Sequence, residues 1–169
     1  MHVHWVGWIT DFNTTCQNDG CGRYSCYYAS FAVGTTVSFE TAPASVSDMA
    51  LRIEVNIETY RYFVSESAGV ILGYAYGSQY RPRPAYQSSA EVSVYIAPLG
   101  QGRGLGQAPY KALIKNLTDL GFHPLIGIVT SQNPASARLH KACRFELVGT
   151  LHDVDKKFSH WHGTLFINL

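Results

Sequence analysis

Apolar residues recur along the chain with two spacings, and the changes between them mark out its elements. Residues 2–9 (HVHWVGWI) alternate closely enough to predict a first strand. TDFNTTCQNDGCGRYS follows, rich in Asn, Gly, Thr and Cys, and reads as a loop or a weakly specified helix. YSCYYASFAV (24–33) is apolar and aromatic without a decisive period, so a short helix and a buried strand both fit. TTVSFE (35–40) is β-prone. From Pro43 to Asn56 the spacing turns helical, with Met49, Ile53 and Ile57 four apart and Ser45 or Ser47 placed to cap.

The middle of the chain reads as sheet. Arg61–Glu66 and Val70–Tyr76 are β-rich runs separated by Ser-Ala-Gly, a hairpin composition. An Arg/Pro/Tyr loop, YRPRPAYQSS, leads into the strand EVSVYI (91–96). Further on, Leu105, Leu113, Leu117 and Leu120 line one helical face, and Gly121 stands where a C′ glycine belongs. Leu125–Thr130 predicts a buried strand, and Asn133-Pro134 opens a helix with Asn as N-cap and Pro at N1. Phe145–Asp153 and Trp161–Asn168 predict two closing strands. This order of strands and interspersed helices over 169 residues predicts one α+β or α/β domain.

Composition narrows the chemistry. A formal net charge of +1 gives no global attraction to nucleic acid or an anionic membrane, and no apolar stretch reaches the length of a membrane span. The first residues lack a basic n-region and a small-residue cleavage site, so a cytoplasmic protein is expected. Cys16, Cys21 and Cys26 are evenly spaced without a C-x-x-C pair, and Cys143 lies far away. Together with the His2/His4 and His160/His162 pairs they read as free thiols and surface histidines, and no metal is expected.

PLGQGRGLGQAPY (98–110) packs four glycines into seven residues between a strand and a helix. That is where folds bind phosphate, because helix N-terminal amides point outward and the dipole favours an anion. No Gly-Lys-Ser/Thr is present for a P-loop, and Gln107 and Pro109 break the dinucleotide fingerprint. Gln101-Gly102-Arg103-Gly104-Leu105-Gly106 instead matches [QR]-x-x-G-x-[GA], the pyrophosphate loop of the GNAT N-acetyltransferases. Asn133-Pro-Ala-Ser136…Leu139-His140 resembles the same family's second cofactor-facing helix. TTVSFE, GYAYG (73–77), RPRPAY…AEVSVYIAP, QNPASARLH and DKKFSHWH resemble its phosphinothricin and methionine sulfoximine acetyltransferase branch. Residues 1–34 do not show the family's usual start, Ser88 stands where the branch has tryptophan, and Arg144 where it has glycine. Gly163 replaces an acidic residue, and Pro109 falls past the first turn of the expected helix, where an interior proline costs about 3 kcal/mol.

The resemblance implies the GNAT fold: a three-layer α+β domain with a mixed, mostly antiparallel sheet, flanked by helices and splayed where acetyl-CoA inserts. It implies acetyl transfer from acetyl-CoA to the α-amine of a small anionic amino acid-like acceptor, in a homodimer, with neither nucleic acid nor membrane as partner. Glu91 is then the general base, and His140 an acid or base toward the CoA thiol. Val94, Tyr95 and Ile96 pair through their backbone with the pantetheine arm and supply oxyanion donors. Gln101, Gly102, Arg103, Gly104, Leu105 and Gly106 hold the pyrophosphate, with Asn133 and Ser136 nearby. Arg81, Arg83 and Tyr86 clamp the acceptor's acid group, and Phe39 and Tyr76 wall its pocket. A different acceptor (polyamine, peptide or aminoglycoside), or acetyl-CoA binding without catalysis, is the alternative.

Overall fold

The computed structural model describes residues 4–8, 28–67, 70–102 and 104–169. The Cys16–Cys26 stretch, His2, Arg103 and the hairpin turn at residues 68 and 69 lie outside the described residues. The described residues form seven strands: β1 His4–Trp8, β2 Tyr62–Ser67, β3 Val70–Gln79, β4 Ala90–Ile96, β5 Leu125–Thr130, β6 Glu146–Lys157 and β7 His160–Asn168. Residues 28–34 are helical (α1), and the other α-helices are α2 Val46–Tyr60, α3 Gln107–Asp119 and α4 Pro134–Ala142. The strands form one sheet in the order β1-β2-β3-β4-β5-β7-β6. Every neighbouring pair is antiparallel except β4 with β5.

Side-chain alternation assigns each face of the sheet to its own helices. On β3, Tyr74 and Tyr76 point to one face, where Met49, Ile53 and Ile57 of α2 and Tyr28 and Ala32 of α1 complete the core. Gly73, Ala75 and Gly77 point to the other, where Tyr110, Leu113 and Leu117 of α3 pack with Val92 and Phe145. The small residues set how close α3 lies: a Cβ at Gly77 would meet the Tyr60 carbonyl oxygen at 2.8 Å and Leu117 Cδ1 at 3.1 Å. Burying the leucine and tyrosine side chains under α3 stabilises the domain by about 1.5–3 kcal/mol for each large residue.

Local signals explain most helix ends. Ser45 is the N-cap of α2, its Oγ accepting from the Asp48 N–H (3.1 Å) while Asp48 Oδ2 accepts from the Ser45 N–H (3.2 Å). Gly121 (φ 90°) closes α3, with Gly121 N–H donating to Thr118 O and Phe122 N–H to Leu117 O. The same pattern ends α4, where Arg144 takes the left-handed position at φ 70°. Arginine there accepts a strain that glycine avoids.

Three expectations need correction. Helix α3 starts at Gln107, not Leu105, so its buried stripe is Tyr110, Leu113 and Leu117, and Leu120 is exposed at the C-cap. Pro109 therefore sits at N3, inside the first turn, where its missing N–H has no intrahelical partner to lose. The interior-proline cost does not arise. TTVSFE forms no strand. Thr35 Oγ1 donates to Phe31 O (2.9 Å) and accepts from the Val37 N–H (3.2 Å), and Ser38 Oγ accepts from the Glu40 N–H (3.2 Å). These local bonds outcompete a ladder for the same backbone.

Lys157, at the end of β6, holds this segment in place. Its buried ammonium donates to Ala32 O (2.7 Å) and Ser38 O (2.6 Å), more than a hundred residues away in sequence. Lys157→Met keeps the stem but leaves two carbonyls without a donor, so urea unfolding is expected to show a loss of about 1–3 kcal/mol. Unchanged stability would contradict this role for the ammonium.

Candidate active site

The sheet opens at one place. The parallel pair β4–β5 is joined only at Ala90–Leu125 and Glu91–Ile126, after which no residue of β4 pairs with β5. β4 remains paired with β3 as far as Ile96, so among the described residues no strand pairs with its other edge from Val92 onward. Which groups face that edge follows from alternation. Ala90 N–H donates toward β5, to Pro124 O, whereas Ala97 N–H donates toward β3, to Leu72 O. The Val94 and Ile96 backbone groups therefore lie on the open edge, and the Tyr95 N–H turns to β3. Of the three β4 residues expected to offer backbone to a ligand, Val94 and Ile96 have theirs on the open edge, and Tyr95 has its own turned to β3.

The opening continues into a groove of about 610 Å³. Val94, Tyr95 and Ile96 form one wall, the glycine loop its end, and α4 the opposite wall through Asn133, Ser136 and Leu139. Gln101, Gly102, Gly104, Leu105 and Gly106 all line it, whereas Arg103 lies outside the described residues. Gly102 (φ 71°) and Gly104 (φ 73°) adopt the left-handed backbone that turns the loop. Gly106 is the N-cap of α3, with no side-chain cap and no acidic residue in the first turn. A Cβ there would meet Ile96 Cδ1 at 2.9 Å. Gln101 braces the loop, its Nε2 donating to Ile96 O (3.1 Å). A bare helix N-terminus at the end of a groove edged by unpaired strand backbone fits an elongated ligand with a phosphate-bearing part.

Asn133 caps α4, its Oδ1 accepting from the Ser136 N–H (3.0 Å), and also faces the groove. Ser136 and His140 lie one turn apart. His140 Nδ1 is 2.8 Å from Ser136 O, a contact that needs the proton on Nδ1, and leaves Nε2 as a lone pair. That Nε2 is buried without a hydrogen-bond partner among the described residues, in a ring only 3% exposed. Burial pushes the imidazole below its ordinary 6.5, so it is neutral at physiological pH. It lines a small cavity where β4 and β5 part, together with Ser93, Val94 and Thr130.

Glu91 stands at the last paired position before the opening. Burial raises its carboxyl above the ordinary 4.5. Its strand neighbour across β3 is Ser78, and Tyr76, which hydrogen-bonds Ser93, is pushed up to about 12 by burial. Ser78 and Tyr76 line a second cavity, of about 210 Å³, on the α2 face of the sheet. Phe39 lies exposed in the loop before α2 and lines neither cavity.

Arg81 and Arg83 are exposed and line neither cavity; the Arg81 guanidinium lies over the Tyr80 ring, 5.1 Å from its centroid. Tyr86 packs edge-on against Tyr80. The guanidinium that does line the tyrosine cavity is Arg52 of α2, which sequence reasoning missed. Its position three residues after Met49, beside the buried stripe of α2, was the available signal. Phe31, Thr35, Val37 and Arg138 also line the large groove unforeseen. Among the described residues no group of three or more His, Cys, Asp or Glu is arranged to hold a metal ion, and no helix is long and apolar enough to cross a membrane.

Comparison with known proteins agrees with this geometry. The family model described as "Acetyltransferase (GNAT) domain" matches residues 24–165. The chain is 37% identical over 153 residues to phosphinothricin N-acetyltransferase of Alcaligenes faecalis, covering 89% of this chain and 78% of that one. It is 35% identical over 105 residues to L-methionine sulfoximine/L-methionine sulfone acetyltransferase of Pseudomonas aeruginosa, covering 62% and 61%. A GNAT superfamily phosphinothricin acetyltransferase from Sinorhizobium meliloti, solved in complex with AcCoA, superimposes with a TM-score of 0.88 at 29% identity, covering 100% of this chain and 88% of that one.

The neutral, buried His140 has a consequence for stability. Its folded-state pKa lies below the unfolded 6.5, so its contribution is complete above about pH 6.5 and declines as pH falls from there through the lowered value. Thermal unfolding of the wild type and His140→Gln across pH 5–8 is expected to show a shallower acid slope in the variant. Equal slopes would contradict a neutral buried imidazole.

Proposed function

The chain belongs to the GNAT acetyltransferases, and from that premise we propose that its acceptor is the α-amine of a small anionic amino acid-like compound, of the phosphinothricin or methionine sulfoximine and sulfone kind. The enzyme is an acetyl-CoA-dependent N-acetyltransferase. The observation that carries the acceptor reading is a half-buried carboxyl, Glu91, standing where the β4 edge opens and one strand away from a cavity that bears a guanidinium.

Each part of the site has a task in this reading. Gly102, Gly104, Leu105 and Gly106, at the uncapped start of α3, would hold the pyrophosphate of acetyl-CoA, with Gln101 bracing the loop. The open-edge backbone of Val94 and Ile96 would align the pantetheine, and their N–H groups would donate to the acetyl carbonyl oxygen as charge develops on it. Asn133 and Ser136 line the groove opposite. Bound there, acetyl-CoA supplies an activated acyl group.

An α-amine arrives as ammonium and must lose a proton to become a nucleophile. Glu91, raised above an ordinary carboxyl by burial, is a better base than a solvated glutamate. It takes that proton, directly or through water, as the nitrogen–carbon bond forms and the thioester carbon–sulfur bond breaks. His140, neutral and with a buried lone pair, serves as a proton acceptor; the departing thiolate takes its proton from water. Exposed Arg81 and Arg83, with Tyr86, stand on the loop that leads into Glu91, where they attract an anionic acceptor toward the site.

We further propose a homodimer formed along β6. This strand is the sheet's edge, and Leu147 (62% exposed) and Val148 (64%) are joined on it by exposed Leu151 and Val154. A long apolar edge strand is a pairing surface. Free, buried Cys143 is consistent with a reducing, cytoplasmic setting.

Thiol release from acetyl-CoA tests the function with phosphinothricin, methionine sulfoximine, methionine sulfone and spermidine as acceptors. Saturable turnover is expected with the amino-acid analogues, and turnover with spermidine alone would overturn the acceptor class. Glu91→Gln is expected to lower kcat at neutral pH by about 100-fold or more while acetyl-CoA binding measured by calorimetry is kept. Wild-type turnover in that variant would remove Glu91 as the base. By sedimentation, the wild type is expected at twice the chain mass and Val148→Lys at the chain mass; a monomeric wild type would contradict the dimer.

A further inference from the structure

The cavity on the α2 face has walls of unusual uniformity. Tyr28, Tyr62, Tyr74 and Tyr76 enclose it, and its charged lining group is the Arg52 guanidinium, with Asn56 one turn further along α2. Tyr62, Tyr74 and Tyr76 stack on one another with centroids 5.1–6.1 Å apart, so this wall is rigid. Ser78, also in the lining, is the register partner of Glu91. Tyr76 feels both Glu91 and Arg52. Arg52 lines the cavity from α2, and Glu91 of β4 stands beside it, on the face of its register partner Ser78, without being part of the lining. An α-amino acid carries the complementary pair: an ammonium for Glu91 and an acid group for Arg52.

Arg52 is held in position from its other side. Arg52 Nη1 is 2.7 Å from Glu40 Oε1, and its Cζ lies 5.8 Å from the centre of the Tyr28 ring. Tyr28 in turn shares a hydrogen bond with Ser38 (2.7 Å), in the segment anchored by Lys157. The Glu40 carboxylate and the Tyr28 hydroxyl together occupy only part of a guanidinium with five donors, so donors of the fork remain for a ligand. The ion pair is half exposed, and such a pair contributes little to stability.

We propose that Arg52 is a specificity-determining residue that binds the acid group of the acceptor in this cavity, with Glu40 orienting its guanidinium. The inference rests on the acceptor reading above and transfers the anion contact from the exposed Arg81 and Arg83 to α2. It makes a prediction that a structural ion pair does not. Arg52→Met and Glu40→Gln both break the same bridge, so a purely structural bridge would respond alike to both. In an anion site the two variants act in opposite directions, because one removes the attracting charge and the other removes a repelling one while keeping a hydrogen-bonding side chain.

The test is steady-state kinetics with L-methionine sulfone and with its carboxamide, which keeps the amine but lacks the acid. Arg52→Met is expected to raise KM for L-methionine sulfone by about tenfold or more with kcat changed by less than about threefold. Glu40→Gln is expected to lower that KM by about threefold, and neither variant is expected to move KM for the carboxamide by more than about twofold. Shifts of the same sign in the two variants, or equal shifts for acid and carboxamide, would overturn Arg52 as the anion contact while leaving the amino-acid acceptor reading intact. Should Arg52→Met fail to fold, the sign of the Glu40→Gln shift decides alone. A wild type that acetylates spermidine and neither sulfone compound would overturn both the acceptor reading and this inference.

Discussion

Parting of β4 from β5 after two residue pairs is the constraint on which the rest of the site depends. A strand with one satisfied edge and one empty edge carries unpaired N–H and C=O groups, a state that folded proteins cover or put to use. Here the empty edge forms the wall of a groove that ends at a helix start with no cap of its own. Both features leave backbone groups in search of a partner, and an extended cosubstrate with a phosphate-bearing end would satisfy both together. The glycines follow from this arrangement: Gly102 and Gly104 supply the turn, and Gly106 lets the helix start lie against Ile96.

The same parting sorts the chemistry by face. Even-numbered residues of β4 join the α3 core or line the groove, while Glu91, Ser93 and Tyr95 face the tyrosine-rich side under α1 and α2. Carboxyl and cavity thus lie across one strand from the groove's edge, so acyl donor and amine acceptor can meet at β4 from two directions. Burial raises Glu91 and lowers His140, the directions expected for a carboxyl and an imidazole withdrawn from water. Lys157 supports the acceptor side indirectly, by tying down the segment that carries Ser38 and Glu40.

Much of this was legible in the sequence, for physical reasons that differ by element. Helix α2 follows from three apolar residues four apart and a capping serine, and α4 from Asn-Pro, because these signals act within one or two turns. The groove was legible because glycines at a strand-to-helix junction are tied to a backbone conformation, which the φ values of Gly102 and Gly104 realise. TTVSFE was misread because β propensity says nothing of the hydroxyl bonds made by Thr35 and Ser38. The start of α3 was misread by one half-turn because Leu105 is apolar for the groove rather than for the helix core. Arg52 was legible only as a residue beside the buried stripe of α2, because its relation to Tyr76 and Ser78 exists only once α2 lies on the sheet. Arg81 and Arg83 drew attention through nearness to Glu91 in sequence; in the structure they are exposed and line neither cavity.

Backbone hydrogen exchange with and without acetyl-CoA tests the central claim most directly, since it reads the open edge itself. Saturating acetyl-CoA is expected to slow exchange at the Val94 and Ile96 amides and in the 100–108 loop, leaving Tyr95, already paired with β3, little changed. Protection confined to the α2 face, with the β4 edge and the glycine loop unaffected, would contradict the account.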